Sequence, residues 1–161
     1  MDVRRLELAD RDLLRDLRLR ALAEAPSAFG SSLAEEEAFT DADWDARLGR
    51  SDAATFVAVD GDGTPVGLCT GVADPDLPGT ADLVGMWVAP EARRAGVGDV
   101  LVARVVAWAG AGGIEVLRLC VTEGNDGAER LYRRHGFVRT GCAEARTRDG
   151  LAEIGMERPL G

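Results

Sequence analysis

The sequence predicts a single α/β domain, 1–161, whose central sheet is mixed and mostly antiparallel. A chain of 161 residues is most simply one domain, and it is long enough to bury a core. Its patterns run as one strand, two helices, three strands, a helix, a strand, a helix and two strands. The strand–helix–strand unit at residues 81–121 predicts one parallel pair in the middle of the sheet, because such crossovers join parallel strands.

The first half of the chain is predicted to hold three strands and two helices. Leucines at helical spacing predict the first helix, with Asp10 as its N-cap and Pro26 after its end. Thr40 is the candidate cap of the second helix, and two Asp-Gly pairs at 60–63 are typical of a hairpin turn. The predicted elements are a strand at 3–8, helices at 11–25 and 41–48, and strands at 55–59 and 66–72.

The second half is predicted to hold the crossover and a final hairpin. A strand at 81–88 leads into an apolar helix that begins at Val97 and ends at the glycines of 110–113. The apolar run at 114–121 predicts a strand buried on both faces. A helix at 123–135 stops at Gly136, and strands at 137–146 and 151–157 turn at Asp149-Gly150.

Composition excludes several classes of protein. A net charge of −9 argues against a nucleic-acid partner, because a phosphate backbone requires a basic surface. All 19 basic residues are arginines, so a Schiff-base lysine and a P-loop lysine are both absent. No apolar run is long enough to span a membrane, and the first residues do not read as a signal peptide. We therefore expect a cytoplasmic protein without a membrane partner.

Cysteine and histidine give no metal or redox pattern. Cys69, Cys120 and Cys142 are widely spaced, and the first two fall in predicted strands, which predicts buried thiols. One histidine, His135, is too few for a metal cluster, so no metal is expected.

The stretch Arg93-Arg94-Ala95-Gly96-Val97-Gly98 predicts an anion site. It lies between a strand and a helix start, where the first backbone N–H groups have no partner inside the helix and the dipole adds positive charge. Glycine lets the backbone approach a bulky phosphate. Asp99 follows directly, and its carboxylate would repel a pyrophosphate. The plainer interpretation is that an acidic residue in the first helical turn stabilises the helix dipole.

A second cluster lies on the helix at 123–135. Asn125, Ala128 and Tyr132 fall on one face, because seven residues make nearly two helical turns. This face can lie along an extended ligand, with the small Ala128 admitting it. Tyr132, the tyrosine on this face, is a neutral hydrogen-bond donor near pH 7.

Together the two clusters resemble the GCN5-related N-acetyltransferase (GNAT) family. The family's phosphate-loop pattern, R/Q-x-x-G-x-G/A, is matched by Arg93, Gly96 and Gly98. The family's second pattern, N-x-x-A-x-x-L-Y-x-x-x-G-F, is matched by Asn125, Ala128, Leu131, Tyr132, Gly136 and Phe137. The predicted order of elements agrees over nearly the whole chain. The resemblance implies a sheet splayed at its central parallel pair and a transfer from acetyl-CoA to a primary amine by direct attack.

The resemblance also implies a role for each matched residue. Tyr132 would protonate the leaving thiolate, and Asp82 stands where several relatives hold a base carboxylate, usually glutamate. The free strand edge at Met86, Trp87 and Val88 would pair with pantetheine, with a bulge at Gly85. The residues expected to bind acetyl-CoA are Met86, Trp87, Val88, Arg93, Arg94, Ala95, Gly96, Val97, Gly98, Asp99 and Asn125.

Each of these roles has a purely structural alternative. Tyr132 could simply pack, Asp82 could be a solvated residue at a strand start, and Asn125 could be a plain helix cap. The acidic segment 35–45 could attract a cationic amine or only keep the surface soluble. A small-molecule acceptor is favoured, while a protein N-terminus, a lysine, or acyl-CoA binding without turnover remain open. A homodimer is possible.

Overall fold

The computed structural model describes residues 1–145 and 150–160, with the backbone alone for 142–145. The strands are β1 Asp2–Arg5, β2 Ala53–Val59, β3 Pro65–Ala73, β4 Thr80–Val88, β5 Val116–Thr122, β6 Val138–Ala145 and β7 Ala152–Pro159. The helices are α1 Arg11–Glu24, α2 Leu33–Glu37, α3 Asp41–Leu48, α4 Val97–Ala111 and α5 Asp126–Arg134. Short 3₁₀ turns lie at Leu8–Asp10, Pro26–Ala28 and Pro90–Ala92.

The strands form one mixed sheet in the order β1-β2-β3-β4-β5-β7-β6. Of the strand pairs in 1–145 and 150–160, only β4–β5 is parallel, as the crossover predicted. That pairing covers three residues of each strand and stops at Asp82, which is opposite Arg118. Beyond Asp82 the two strands part, so the splayed parallel pair is confirmed and one edge of β4 is left open.

A bulge marks the open part of β4. Trp87 pairs with Leu68 and Val84 pairs with Thr70, so Gly85 and Met86 together face the single residue Cys69 on β3. Gly85 has φ +64°, a left-handed conformation that glycine adopts without a steric penalty. The bulge predicted at Gly85 is confirmed.

Helices cover both faces of the sheet. α4 packs so closely on β3 that a Cβ on Gly71 would lie 2.5 Å from the ring of Trp108. The opposite face of β3 carries Thr70 and Val72, which line a cavity shared with Leu14 and Arg18 of α1. The core is therefore continuous on the α4 side and partly hollow on the α1 side.

Two expectations about burial are corrected. β5 is buried on one face through Leu117, Leu119 and Val121, and not on both faces. Cys120 is consequently exposed, whereas Cys69 is fully buried as predicted. The physical reason is the splay, which withdraws β4 from this face of β5.

Helix boundaries also differ from the prediction. α2 lies in the polar segment and went unpredicted, because five residues are too few to show a helical period. α5 begins at Asp126, after the capping residue Asn125. The predicted turn at 149 and the strand end at 146 lie outside the described residues. No helix within 1–145 and 150–160 is long and apolar enough to cross a membrane.

Candidate active site

The turn before α4 presents a run of unpaired backbone donors. Gly96 is the N-cap of α4 and has φ +83°. The first N–H of this segment that is bonded inward belongs to Val100, which donates to the Gly96 carbonyl at 3.2 Å. For the N–H groups of residues 94–99, no acceptor is found among the described residues. Consecutive amides without an acceptor at a helix N-terminus are an arrangement that suits an anion.

Two residues of the turn adopt left-handed conformations. Gly96 is one, and open space surrounds the position of its absent side chain. Arg94, at φ +65°, is the other, and it is the only described non-glycine residue with a positive φ. The conformation costs an ordinary residue about 1–2 kcal/mol. The Arg94 backbone therefore holds a conformation that glycine adopts more readily.

At Gly98 the structure shows a packing role for glycine, whereas the sequence suggested the close approach of a phosphate. A Cβ at this position would lie 2.9 Å from Cδ2 of Leu131 on α5. The glycine lets α4 and α5 approach each other. Its local role is therefore helix packing, in addition to any approach by a phosphate.

The Arg93 side chain turns away from the free amides. Its Nε donates to the Val88 carbonyl at 3.1 Å, and its Nη2 donates to both oxygens of Glu24 at 2.8 and 2.9 Å. Glu24 also accepts from the indole N–H of Trp87 at 2.9 Å. These bonds tie the end of α1 to the end of β4 and fix the turn, so Arg93 contributes its backbone and rigidity to the site.

Asp99 is neutralised by α5. Its Oδ1 lies 2.9 Å from Nε2 of His135, and Arg134 donates to it at 3.2–3.3 Å. Partial burial opposes ionisation, but the hydrogen bonds from His135 and Arg134 outweigh it and hold the pKa of Asp99 below its ordinary value. Arg134 is thus engaged, as is Arg133, which pairs with Glu129 at 2.8 Å. The carboxylate beside the turn is accompanied by the Arg134 guanidinium and does not stand alone against a phosphate.

The free edge of β4 carries an aligned backbone donor. Ala89 donates to the Val66 carbonyl of β3, so the preceding residue, Val88, directs its N–H to the opposite edge, where β5 is absent. The Val88 carbonyl points the same way and accepts from Arg93. Met86 lies in the bulge, half-buried, and Trp87 is buried beneath Arg20. An extended ligand can pair with this edge as an added strand does.

Tyr132 lies on the inner face of α5, next to the bulge. The residue is 5% exposed and its ring packs edge-on against Phe137 at 5.9 Å. Burial, and then the nearby Cys69 thiol, raise the pKa of Tyr132, so the phenol stays protonated. Cys69 is the residue opposite the bulge, and its Sγ lies 3.8 Å from the Val84 carbonyl. For the Tyr132 hydroxyl itself, no hydrogen bond is found within the described residues.

Asn125 caps α5. Its side-chain oxygen accepts from the Ala128 N–H at 3.3 Å, which is the plain capping role that the sequence left open. The residue is exposed, so the other half of the amide group can still donate to a ligand.

Asp82 lies where β4 and β5 begin to part. Its carboxylate receives two bonds from Arg118, Nε to Oδ1 at 3.0 Å and Nη2 to Oδ2 at 3.1 Å. Arg118 also donates to Asp74 at 2.8 Å. Asp82 is one third exposed and lines the cavity on the α1 side of the sheet. The candidate base is therefore ion-paired, fixed in position and partly open to solvent.

The cavity itself has a volume of about 960 Å³ and reaches the bulge at Gly85. Strands β4, β5 and β7 form one side, which we call the strand wall, with Asp82, Arg118, Glu153 and Glu157. Residues from α1 to the end of α3 form the other side, which we call the helix wall, with Arg18, Phe29, Arg47 and Arg50. The exposed Cys120 also lines this cavity. Its position beside the bulge makes it the candidate acceptor site.

The acidic segment 35–45 does not face this cavity. Among its carboxylates, Asp41 and Asp45 pair with Arg11 of α1, and Glu36 is buried. No described carboxylate of the segment lines the cavity. Phe29 does line it, as the sequence allowed, while Trp44 is fully buried in the core.

The residues that sequence reasoning missed are the arginines of the helix wall. Arg18 and Arg47 both bind the buried Glu36, with Arg18 Nε at 2.9 Å and Arg47 Nη1 at 3.5 Å from its Oε1. The one available signal was the position of Arg18 on the apolar stripe of α1, between Leu14 and Leu22. The segment 35–45 is acidic in sequence. Only the folded structure shows that its carboxylates lie on the surface or in the core and not in the cavity.

Residues 18–137 match the model of the acetyltransferase (GNAT) family. This match covers most of the chain, and the protein belongs to that family. None of the curated proteins searched matches this chain.

Solved structures agree with this assignment. A GNAT-family acetyltransferase from Streptococcus pneumoniae is 22% identical, with a TM-score of 0.82 and coverage of 99% of both chains. A GCN5-related N-acetyltransferase from Kribbella flavida is 27% identical, with a TM-score of 0.78 and coverage of 99% of this chain and 97% of that one. A ribosomal-protein-alanine N-acetyltransferase from Brucella melitensis is 22% identical, with a TM-score of 0.79 over 99% and 100% of the chains.

Proposed function

We propose that this protein transfers the acetyl group of acetyl-CoA to a primary amine, preferably of a small molecule, while both substrates are bound. The observation that carries the proposal is the run of unpaired amides at residues 94–99, next to the open edge of β4. These features suit the two ends of one ligand, a diphosphate at the helix and an amide-bearing arm along the strand.

The residues present fit coenzyme A by shape as well as by donors. Open space surrounds the Cα of Gly96, and the neighbouring carboxylate of Asp99 is paired with His135 and Arg134. When bound, acetyl-CoA supplies an activated acyl group on a thiolate leaving group. The Val88 N–H on the open edge can hydrogen-bond the acyl oxygen and stabilise the negative charge that develops there.

Asp82 is proposed to accept the proton that the arriving ammonium must lose. Two of the roughly four lone-pair sites of its carboxylate serve Arg118, which leaves others for a bridging water. Arg118 holds the carboxylate still, and positioning of this kind is what a general base needs. The amine then attacks the acyl carbon, the new N–C bond forms as the C–S bond breaks, and the nitrogen releases its second proton to solvent.

Tyr132 is proposed to give its proton to the departing sulfur and to regain one from solvent. Its raised pKa keeps the donor protonated throughout the neutral range. Attack is direct, because neither described thiol is set up as a nucleophile paired with histidine. Burial raises the pKa of Cys69, and His135 is bonded to Asp99 on α4.

The test is an amine screen with purified protein and acetyl-CoA, in which acetylated product is counted by mass spectrometry. Turnover of small amines, with initial-rate lines that intersect when both substrates are varied, is the expected result. Parallel lines would indicate an acyl-enzyme and refute direct attack. Activity on peptide N-termini or lysines alone would favour protein acetylation. Binding of acetyl-CoA without any turnover would favour a non-catalytic protein.

A further inference from the structure

The helix wall of the cavity holds more positive charge than its carboxylates balance. Arg18 and Arg47 share the single carboxylate of Glu36, which is completely buried. Glu36 is the only described carboxylate within ion-pair distance of either guanidinium. Arg50, the third arginine of this wall, is already balanced by Asp52 through two bonds of 2.9 Å. One cation is therefore left without a counter-charge.

This excess charge is fixed and partly desolvated. Arg18 stacks on Phe29 at 4.9 Å, and Arg47 stacks on Phe39 and Trp44 at 4.9 and 5.2 Å. Burial, and the charge of Arg18, lower the pKa of Arg47 in spite of the attraction of Glu36. A cation held in this way gains more from an incoming anion than a solvated one does, because its desolvation cost is already spent.

The excess charge also lies close to the reaction centre. Arg18 uses Nε and Nη2 for Glu36, and Nη1 points to the bulge of β4. A Cβ on Gly85 would lie 3.1 Å from that Nη1. An anionic group bound there would sit a few ångströms from the free edge of β4.

The strand wall has the opposite imbalance. Arg118 serves two carboxylates, Asp74 and Asp82, so one negative charge is in excess. Glu157 of β7 lines the same wall. The cavity therefore has a positive side and a negative side, with the bulge between them.

From this arrangement we propose that the acceptor is a zwitterion, an amine that carries a carboxylate, phosphonate or similar anion a few bonds away. The anion binds Arg18 and Arg47 on the helix wall, and the ammonium faces Asp82 on the strand wall. A free amino acid has this chemistry, whereas a polyamine or a peptide N-terminus lacks the nearby anion. The inference rests on the proposed function, because it names the acceptor class for the same reaction.

The first experiment compares matched acceptors on the wild-type protein. The twenty L-amino acids, β-alanine and 2-aminoethylphosphonate are screened, and the best acceptor is measured beside its amide and its decarboxylated amine. For leucine these are leucinamide and 3-methylbutylamine. We expect kcat/KM for the zwitterion to exceed that of both analogues by about 10- to 100-fold, the range for one hydrogen-bonded charge. Equal or better turnover of the analogues, of polyamines or of peptides would overturn the proposal.

The second experiment removes the excess cation. Arg47→Met leaves Arg18 and Glu36 as a balanced pair and keeps an apolar side chain against Phe39 and Trp44, so the fold should persist. We expect KM for the zwitterion to rise about 10- to 100-fold, with KM for the decarboxylated amine unchanged. Arg15→Met is the matched control, an α1 arginine that pairs with Asp12 and Asp16 outside the cavity. The same rise in Arg15→Met, or none in Arg47→Met, would overturn the proposal.

The hypothesis of acetyl transfer and the hypothesis of a zwitterion site can be refuted independently. If acetyl-CoA binds but no amine is acetylated, the proposed function fails. Calorimetry of the coenzyme A complex with leucine, leucinamide and 3-methylbutylamine then still tests the zwitterion site. Leucine binding that is lost in Arg47→Met supports the site. Equal binding of all three ligands, or binding of none, contradicts it.

Discussion

The carboxylate of Asp82 and the guanidinium of Arg118 form a two-point ion pair at the last residue pair of the parallel strands. The ion pair lies at the point where β4 separates from β5. It therefore ends the paired part of the two strands and borders the cavity beyond them. A carboxylate in this position is both a structural clamp and the candidate base, and mutation can separate these roles.

Asp82→Asn tests the role of the base. Loss of the proton acceptor should lower kcat/KM by about 10²- to 10⁴-fold. Asp74→Asn is the matched control, because Asp74 binds the same Arg118 but does not line the cavity. An equal loss of kcat/KM in the two variants would show that only the ion pair with Arg118 matters.

Tyr132→Phe tests the general acid. Deleting the hydroxyl should lower kcat by about 10²- to 10⁴-fold and leave KM for acetyl-CoA almost unchanged. The melting temperature should also be kept, because the ring still packs on Phe137. Since the pKa of Tyr132 is raised, the profiles of both proteins should have the same shape up to pH 10. A variant with wild-type turnover would exclude Tyr132 as the acid.

Gly96→Ala tests the anion site. The substitution strains a φ of +83° and places a methyl group in the open space before α4, so KM for acetyl-CoA should rise about 10-fold or more. Gly63→Ala is a close control, since Gly63 has φ +82°, equally open surroundings and a place in the β2–β3 hairpin. Both variants should lose about 1–2 kcal/mol of stability. A similar KM in both would mean that coenzyme A does not approach Gly96.

Glu36→Gln tests the buried arginine cluster. Two desolvated guanidiniums would lose their shared counter-charge, and we expect a loss of about 3–5 kcal/mol in the free energy of unfolding at pH 7. Burial opposes ionisation of Glu36, but the bonds and charges of Arg18 and Arg47 outweigh it and lower its pKa.

The pH dependence of this difference follows from that direction. A carboxyl whose pKa is lowered on folding stabilises the fold fully above its ordinary pKa of 4.5 and loses this effect as the pH falls through the lower folded value. Urea unfolding should therefore show a constant gap between wild type and Glu36→Gln from pH 7 to about 5, and a shrinking gap below 4.5. A gap that is the same at all pH values would contradict the assignment to the charge of Glu36.

The geometry of the turn before α4 was predictable from sequence because it is local. Gly96 and the helix start at Val97 fix the free amides within six residues, and the structure adds only that Gly98 also spaces α4 from Leu131. The bulge at Gly85 was predicted from the family resemblance, which also rests on short stretches of sequence. Features that lie in one stretch of chain carry their own signal.

The acceptor cavity was not predictable, because it depends on pairings across the chain. Arg18 and Glu36 are eighteen positions apart, and Arg118 reaches Asp74 over forty-four. Nothing in the composition of 35–45 shows that its carboxylates bind α1 or enter the core, leaving arginines to line the cavity. The same limit explains Cys120, whose exposure follows from the divergence of β4 and not from its apolar neighbours.

The exposed thiol of Cys120 makes the acceptor cavity accessible to chemical labelling. Of the two cysteines whose side chains the structure describes, Cys69 is buried and its raised pKa makes it unreactive, so with Cys142 replaced by serine a maleimide should modify Cys120 first. A bulky adduct there would fill the space meant for the amine while leaving the coenzyme A groove open, and a bound acceptor should slow its formation. The rate of labelling would thus report occupancy of one substrate site independently of turnover.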